Sequence, residues 1–478
     1  MKIQQFTPQH LFARLTYKTR PFFRVTLGLL FTLALTTVSC KKFISLDPPY
    51  TQLSAKAVYE SELTARAALS AAYLNSFTFA NGGFNSVTYT GLLSADETDN
   101  YSVNLSSQQL SANQLIASNS YTTAIWQSGY STIYQCTAVI EGLKDNPNIP
   151  AATAKQLTGE ALFLRALSHM SLVSLYGPVP IVTSTDYRVN TRLARSSETA
   201  VLSSIIADLL EAKTLLPADY APYSGERLRA SKWAAVALLS RAYLYQGELE
   251  KAISSASEVI AHTVLFSLTP LTEVFLKNSK ESIFQLKNTS TSINTNEGNL
   301  LTPTTRPINA MLRKSFYDSF EAGDQRRTAW IGAPTFSGTQ YYHAAKYKTK
   351  TSTTYLEYSS VLRLAEQYLI RAEAYARNNQ LAPALMDLDA LRTRALLPKL
   401  APISPSASKE AVLERVLQER KAELFTEWAH RWIDLRRFGK ADALLSPLKP
   451  GWKSSATLFP IPFTDILVNA NLTQNPGY

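Results

Sequence analysis

The densest group of side chains able to do chemistry is the stretch ERKAELFTEWAHRWIDLRRFGK, Glu419 to Lys440. In a helix, His430 would lie one turn from Glu427 and one turn from Asp434, because the spacings are three and four residues. An imidazole beside two carboxylates could act as a general acid and base. No nucleophile or metal motif accompanies these residues. We therefore favour a structural contact between His430 and Asp434 over a catalytic one.

A second acidic group, Asp96, Glu97 and Asp99, lies in a polar and aromatic segment. A glycosidase needs only two carboxyl groups at a suitable separation, so this group keeps a hydrolase open as an alternative. A solvated turn or the start of a helix is the more common setting for such a cluster. We favour that setting here.

Motifs of other catalytic and metal-binding classes are missing from the sequence. It contains no phosphate-binding loop, no GxGxxG, no HExxH, no CxxC and no GxSxG. The five histidines are scattered singly, without the nearby ligands that a zinc site would need. The sequence therefore predicts no catalytic residue, no cofactor and no metal site.

The net charge of +11 arises partly from the N-terminus. Five basic residues fall within the first 24, where no acidic residue occurs, and without them the charge is about +6. No run of five or more like charges occurs in the remainder. The electrostatic pattern expected of a nucleic-acid-binding protein is therefore missing.

The basic leader is followed by VTLGLLFTLALTTVSC, which ends at Cys40. Its apolar run of about fourteen residues is too short to span a bilayer and is typical of a signal-peptide core. A cysteine after small residues at the end of such a core resembles a bacterial lipobox. We predict a lipoprotein signal peptide over residues 1–39, a lipid on Cys40 and an extended tether over residues 40–60. Cys136 fits a helical apolar pattern and is predicted to be a small core residue.

Helical patterns dominate the rest of the chain. Apolar residues at helical spacing predict helices over Ser61–Leu74, Tyr121–Leu143 and Ala154–Leu175. The segments Lys232–His262 and Leu362–Ala395 resemble tetratricopeptide hairpins, in which small residues let two antiparallel helices approach. These hairpins stand about 130 residues apart, so we expect each to pack against something other than a tandem repeat.

The stretch that carries His430 also shows helical spacing. Leucine and tryptophan recur at intervals of four or seven residues from Leu413 to Leu435, which predicts one amphipathic helix with buried aromatic rings. Gly439 is placed to end it. Glu419, Glu423, Glu427 and Arg431 would then lie near the buried face, where Arg420, Lys421, Arg436 and Arg437 can pair with the acids.

Two irregular segments interrupt the helices, residues 77–111 and residues 288–354. Both are rich in polar and aromatic residues. Long irregular segments on a rigid scaffold commonly carry ligand contacts. The C-terminal segment LFPIPFTDILVNANLTQNPGY is punctuated by proline, and we predict that it contains no helix.

Four segments, in this order, resemble the SusD/RagB family. They are Cys40 followed by KKFISLDPP, the block GEALFLRALSHMSLVSLYGPVPIVT, the block ERKAELFTEWAHRWIDLRRFGK and the final LFPIPFTDILVNANLTQNPGY. The resemblance implies a mainly α fold, in which tetratricopeptide-like helical hairpins scaffold an irregular, loop-rich ligand-binding face. It implies an N-terminal helical region over residues 61–270 and a C-terminal SusD/RagB region over residues 271–478.

The resemblance also implies a function. Family members are outer-membrane lipoproteins that capture glycans at the cell surface, without catalysis, and deliver them to a SusC-like TonB-dependent transporter. Three alternatives stay open: a peptide-binding member of the same family, a lipid-anchored glycan hydrolase, and a periplasmic tetratricopeptide adaptor that binds only proteins.

A glycan site needs flat aromatic rings, because sugar rings have apolar C–H faces, and polar side chains for the hydroxyl rim. The family motifs name no binding residues in this chain. The aromatic and polar residues of the two irregular segments supply eight candidates: Phe84, Tyr89, Asp99, Asn100, Tyr101, Trp330, Tyr341 and Tyr342. The alternative for several of them is that they fill the space between the irregular segments and the helices.

Overall fold

Helices make up most of the described chain, residues 55–81, 83–400 and 408–478 of the computed structural model. The predicted signal peptide, Cys40 and most of the predicted tether lie outside these residues. Within them, the helices are either too short or too polar to cross a bilayer.

The helices follow one another in this order: α1 (Ala55–Val58), α2 (Glu62–Asn81), α3 (Val87–Ser94), α4 (Leu105–Ala112), α5 (Ser120–Leu143), α6 (Ala151–Tyr176), α7 (Tyr187–Asn190), α8 (Glu198–Leu215), α9 (Lys232–Gln246), α10 (Leu249–Ile260), α11 (Asn296–Leu301), α12 (Lys314–Asp318), α13 (Gln325–Trp330), α14 (Leu364–Arg377), α15 (Leu381–Arg394), α16 (Lys409–Leu424), α17 (His430–Arg437), α18 (Ala441–Leu445) and α19 (Phe463–Val468). The strands are short: β1 (Thr98–Asn100), β2 (Ser282–Leu286), β3 (Ala310–Leu312), β4 (Ile331–Gly332), β5 (Thr335–Phe336), β6 (Thr339–Gln340), β7 (His343–Ala344) and β8 (Ser359–Arg363).

Eight long helices pack successively as α2, α5, α6, α8, α9, α10, α14 and α15. The two predicted hairpins are α9–α10 and α14–α15, and α10 packs directly against α14. The expectation that distance in sequence prevents the hairpins from packing on each other is therefore wrong. Residues 261–363 leave the stack and return to it, so hairpins far apart in sequence become neighbours in space.

Local sequence explains where these helices begin and end. The Asn119 side chain accepts hydrogen bonds from the backbone N–H groups of Tyr121 and Thr122 and starts α5. Gly247 has a φ of 85° and ends α9, and Asn379, with a φ of 60°, lies in the turn before α15. Between α9 and its neighbours, small buried side chains permit close packing, as the hairpin pattern predicts.

The block predicted to be one helix forms two, because α16 ends at Leu424 and α17 begins at His430. Between them, Thr426, Trp428 and Ala429 adopt left-handed φ values of 53°, 46° and 60°. Tertiary contacts support this break. A Cβ atom added to Gly91 of α3 would lie 2.2 Å from the Cβ atom of Ala429, so only glycine permits the approach. These contacts outweigh the helical periodicity of the sequence.

The two irregular segments meet in a small sheet. Strand β1 pairs antiparallel with β3, and Leu312 of β3 forms a bridge with Tyr342, next to β7. The prediction that residues 288–354 lack long helices is confirmed, since α11, α12 and α13 have only five or six residues each. The prediction of no helix near the C-terminus is wrong. Helix α19 starts directly after Pro462 and carries Asp465 in its first turn, where a negative charge favours a helix start.

Residues 55–478 form one compact unit, and the predicted division at residue 270 falls within it. Buried apolar residues from Ala65 to Leu472 belong to one hydrophobic cluster. A smaller cluster lies where α14, α15 and α16 meet. Cys136 is buried, in agreement with its predicted place in the core.

A buried network of charged side chains joins the second irregular segment to the helices. Glu423 of α16 accepts hydrogen bonds from Arg326 at 3.1 Å, from Arg363 at 2.6 Å and from Arg394. Burial opposes the charge, but the three guanidinium groups hold the pKa of Glu423 well below its usual value. Arg326 lies on α13 of the second irregular segment, whereas Arg394 ends α15. Glu423 therefore ties both elements to α16.

Glu427, in the break after α16, belongs to the same network. It accepts from Arg363 Nε at 2.8 Å and from Lys346 Nζ. Arg420 binds Asp434 and Arg437 binds Glu373, so the predicted pairing of these two bases with Glu419, Glu423 or Glu427 is wrong. The partners differ because the predicted single helix is replaced by two helices with a break between them.

Candidate functional site

Three partly exposed aromatic rings from the two irregular segments form one surface. The ring centroids of Tyr101 and Tyr341 are 5.8 Å apart, with the rings nearly perpendicular. The ring of Tyr341 also contacts Phe336, with the two ring centroids 6.0 Å apart. Tyr101 is 44% exposed, and the other two are half-buried. We call Tyr101, Phe336 and Tyr341 the aromatic crest. Its rings offer both faces and edges to an apolar surface.

Backbone pairing fixes the position of Tyr101. Asn100 is paired with Ala310 in the β1–β3 ladder, and the Tyr101 N–H group donates to Asn309 O at 2.6 Å. The Asn100 side chain closes a turn, since its Oδ1 accepts from the Ser102 N–H group at 3.0 Å. Asn100, predicted as a ligand contact, therefore sets the direction in which the chain leaves β1.

A tight hairpin positions Phe336 and Tyr341. Strands β5 and β6 are joined by Ser337 and Gly338, whose φ values of 48° and 78° are those of a two-residue type I′ turn. Tyr341 follows β6, and its N–H group donates to Pro334 O at 2.9 Å. The sequence prediction missed Phe336. The Ser-Gly pair between two short runs is a hairpin signal that could have indicated it.

Polar groups flank the aromatic crest. Asp99 is half exposed and pairs with Arg313 at 3.1 Å. Partial burial and then the Asp99 carboxylate raise the pKa of Tyr101. The Tyr101 hydroxyl is therefore protonated at neutral pH and can donate a hydrogen bond. Together with Asp99 and Arg313 it supplies donors and acceptors beside the exposed rings.

Three of the predicted ligand contacts lie in the core. Trp330 is 0% exposed and donates from Nε1 to Leu271 O at 2.8 Å. Tyr342 is buried and stacks on Tyr317 at a centroid distance of 4.1 Å, and Tyr89 is also buried. These rings cannot reach a ligand at the surface, so the prediction for Trp330, Tyr342 and Tyr89 is corrected. They fill the space beneath the irregular segments, which was the stated alternative.

Phe84 belongs to a separate group of rings near the start of α5. It is 37% exposed and lies parallel to Tyr121, with the centroids 6.5 Å apart. Its other neighbour is the buried ring of Tyr89, at 5.1 Å and nearly perpendicular. Of the eight predicted residues, the structure brings Asp99, Asn100, Tyr101 and Tyr341 together and leaves Phe84 in this second group.

The carboxyl groups considered for a hydrolase are buried beneath the surface. Asp96 accepts from Arg431 Nε and Nη2 at 2.8 and 2.7 Å, and Glu97 accepts from the Thr426 N–H group at 3.2 Å. Burial opposes ionisation of Asp96, but its hydrogen bonds with Arg431 lower its pKa below the usual value. Burial and then the Asp96 carboxylate raise the pKa of Glu97 to about 8. This separation of pKa values suits an acid and a base. However, Asp96 is 9% exposed and Glu97 only 2%, so neither meets a substrate.

The raised pKa of Glu97 predicts a pH-dependent stability. Between pH 4.5 and about pH 8 the folded protein holds a proton that the unfolded chain has released, so stability falls as pH rises through this window. The variant Glu97→Gln removes that loss. We expect its free energy of unfolding, relative to the parent, to rise by a few kcal/mol between pH 5 and pH 8, because one pKa unit corresponds to ~1.4 kcal/mol.

Urea denaturation at both pH values measures this difference. The control is Glu60→Gln at an exposed position, measured at the same two pH values. A Glu97→Gln difference that stays constant with pH would contradict the assignment of a protonated Glu97.

His430 and Asp434, the pair on which a catalytic interpretation would rest, have other partners. His430 Nε2 lies 4.0 Å from Glu366 Oε1, whereas Asp434 accepts from Arg420 Nε at 2.6 Å. The predicted contact between His430 and Asp434 is therefore wrong, because each side chain has a different partner. Burial and then the nearby Arg241 hold the pKa of His430 well below its usual value, so the ring is neutral. Within the described ranges, no three His, Cys, Asp or Glu side chains are grouped to hold a metal ion.

Comparisons with known proteins agree with this architecture. A SusD-like family model described as "Starch-binding associating with outer membrane" matches residues 53–244, and a SusD/RagB model described as "SusD family" matches residues 317–478. SusD-like protein P2 of Formosa agariphila is 26% identical over 517 residues, which cover 93% of this chain and 98% of that protein.

Two solved structures show the same fold. A SusD superfamily protein from Bacteroides vulgatus has a TM-score of 0.78 at 21% identity, with 87% of this chain and 99% of that chain covered. A laminarin-binding SusD-like protein has a TM-score of 0.75 at 26% identity, with 87% and 100% covered. The predicted mainly α fold, with helical hairpins beneath an irregular face, is confirmed. The two family models together span most of the described residues, and the chain belongs to the SusD/RagB family.

Proposed function

We propose that this protein is a glycan-binding lipoprotein of the cell surface, which captures oligosaccharides on the aromatic crest. The observation that carries the proposal is the meeting of Tyr101, Phe336 and Tyr341, three partly exposed rings from two segments distant in sequence. Exposed rings of this kind stack on the apolar faces of sugars. The starch-binding description of one family model and the laminarin-binding relative support the same ligand class.

Binding takes place without catalysis in this proposal. Asp96 and Glu97, the acidic residues considered for hydrolysis, are both occupied by contacts within the fold. Asp99 lies beside the aromatic crest and is paired with Arg313. Glycoside hydrolysis requires two carboxyl groups that flank the bond to be cleaved. The aromatic crest supplies the rings for capture, and the two carboxyl groups considered for hydrolysis lie beneath the surface.

The direct test is a titration of the full-length chain, purified in detergent, with neutral oligosaccharides of glucose, mannose, xylose and galactose and with a peptide library. We expect one or more oligosaccharides to bind, with no reducing ends released on long incubation. Binding of peptides alone would favour the peptide-binding alternative. Release of reducing ends would favour the hydrolase.

We further propose that a lipid on Cys40 anchors the protein to the outer membrane and that a SusC-like TonB-dependent transporter receives the glycan. The basic leader, the apolar core and the position of Cys40 support the anchor. The description of one family model as associating with the outer membrane supports the location.

Both parts have separate tests. Affinity capture of the native protein from outer membranes should recover a large β-barrel protein with it, and recovery without one would contradict the transporter partnership. Protease treatment of intact cells should remove the protein if it faces outward. Protection from the protease would instead favour the periplasmic adaptor.

A further inference from the structure

An aromatic cavity lies between helices α5, α7 and α19 and the segment that follows α6. Its volume is about 340 Å³, within the ~300–1,000 Å³ range of small-ligand sites. Its lining includes Trp126, Tyr130 and Tyr134 on α5, Tyr187 on α7 and Asp465 on α19. We call this cavity the tyrosine pocket. None of the residues of the aromatic crest lines it.

The inner wall of the tyrosine pocket is fixed by its own contacts. Trp126 Nε1 donates to Asp465 Oδ1 at 3.0 Å, which links α5 to α19. The Trp126 and Tyr130 rings are 4.8 Å apart, and the Tyr130 hydroxyl donates to Pro180 O at 3.0 Å. The site is therefore formed before any ligand arrives, which reduces the entropy lost on binding.

Two polar side chains, Asn190 and Asp465, belong to the lining of the tyrosine pocket. Asn190 Nδ2 donates to Ser184 O at 2.7 Å, but Asn190 Oδ1 is buried with no hydrogen-bond partner among the described residues. Asp465 accepts hydrogen bonds from Trp126 Nε1 at 3.0 Å and from the Thr464 hydroxyl at 3.1 Å, and burial raises its pKa. The Asp465 carboxylate oxygens keep lone pairs that can accept from the hydroxyl donors of a ligand.

The mouth of the tyrosine pocket carries exposed rings. Tyr187 is 73% exposed and Tyr134 is 52% exposed, which is high for aromatic side chains. Rings at the mouth with acceptors inside match a sugar ring, which has an apolar face and hydroxyl donors at its edge. A quaternary ammonium group would use the rings and one carboxylate, but it has no N–H group to donate to the polar side chains of the lining.

We propose that the tyrosine pocket is a second carbohydrate subsite, which binds a neutral pyranose ring independently of the aromatic crest. The inference goes beyond the proposed function, because it assigns a separate site on a different part of the helical stack. It shares with that function only the class of ligand. Two subsites on one protein would raise the avidity for a long polysaccharide when the chain can span both.

The test is calorimetric titration of the full-length chain in detergent with the neutral oligosaccharide panel. We expect two binding sites in the parent protein. Tyr187→Ala and Asn190→Ala should each weaken one site at least about tenfold, a change of ~1.4 kcal/mol, and Tyr341→Ala should weaken only the other. Phe463→Ala is the matched control, since this 53% exposed aromatic residue lies on α19 outside the lining of the pocket. It should leave both sites unchanged.

The outcomes separate this inference from the proposed function. A single site that Tyr341→Ala removes and Tyr187→Ala leaves intact overturns the tyrosine pocket and keeps the aromatic crest. A single site with the opposite response keeps the pocket and overturns the crest. Absence of binding across the panel overturns both. Binding of tetramethylammonium in the pocket without any sugar binding there overturns the assignment to carbohydrate.

Discussion

Replacing Glu423 with alanine is expected to lower the free energy of unfolding by about 3–5 kcal/mol. Glu423 is fully buried and neutralises Arg326, Arg363 and Arg394 at distances of 3.1 Å or less. Arg326, Arg363 and Arg394 keep other carboxylate partners, but removal of Glu423 takes one negative charge from the centre of the network. The buried positive charge that is left in excess is destabilising. Urea denaturation at neutral pH measures the loss.

The control for Glu423→Ala is an ion pair of the same kind at the surface. Asp318 pairs with Lys314 on α12, where the two side chains are 49% and 72% exposed. Because solvent screens exposed pairs, Asp318→Ala should change stability by less than ~1 kcal/mol. If Glu423→Ala were equally mild, the buried network would not hold the second irregular segment to the helices.

Replacing Trp330 with alanine is expected to lower the free energy of unfolding by about 3–5 kcal/mol, as for other large aromatic residues removed from a core. The Trp330 ring packs against Phe275 at 5.6 Å and against Phe425 at 6.5 Å. Lys346 lies over its face at 5.0 Å. The change would leave a cavity and an unpaired acceptor at Leu271 O. Thermal and urea denaturation measure the result.

Trp330→Ala also distinguishes a core residue from a ligand contact. The conservative variant Trp330→Phe keeps most of the ring volume, so we expect it to recover most of the stability and to bind glycan as the parent does. A protein that keeps full stability after Trp330→Ala and loses glycan binding would show that Trp330 contacts the ligand directly.

The sequence predicted the long helices well, because their signals are local. The predicted helix Tyr121–Leu143 differs from α5 by one residue, and Ala154–Leu175 lies within α6. In both, apolar periodicity and clear terminating residues agree with the final packing. The predicted helix Ser61–Leu74 is shorter than α2, which continues to Asn81.

The failures occur where distant contacts decide the structure. The sequence keeps helical periodicity from Thr426 to Ala429, yet the helix breaks there. Gly91 packs against Ala429 and Glu97 accepts a hydrogen bond from the Thr426 N–H group, and both residues lie more than 300 positions away in sequence. Likewise, Trp330 and Tyr341 have the same chemistry in the same irregular segment. One ring points into the core and the other lies at the surface, and no local signal separates them. The sequence indicated which two segments form the aromatic crest, but it did not indicate every residue of the crest.

The ion pairs show the same limit. Glu427 and Arg431 have ideal helical spacing, and their true partners are Arg363 and Asp96. Composition indicated that the stretch carries many charges of both signs. Which acid pairs with which base is decided by the fold. The stretch ERKAELFTEWAHRWIDLRRFGK therefore contacts α3, α13 and β8 instead of forming an isolated charged helix.

The central claim is that the aromatic crest binds glycan. The most direct measurement is the affinity of the full-length chain, in a Tyr187→Ala background, for whichever oligosaccharide of the panel it binds, with and without Tyr101→Ala and Tyr341→Ala together. We expect the double change to weaken binding at least about tenfold, ~1.4 kcal/mol, without lowering the melting temperature. An unchanged affinity in a fully folded double variant would contradict the claim.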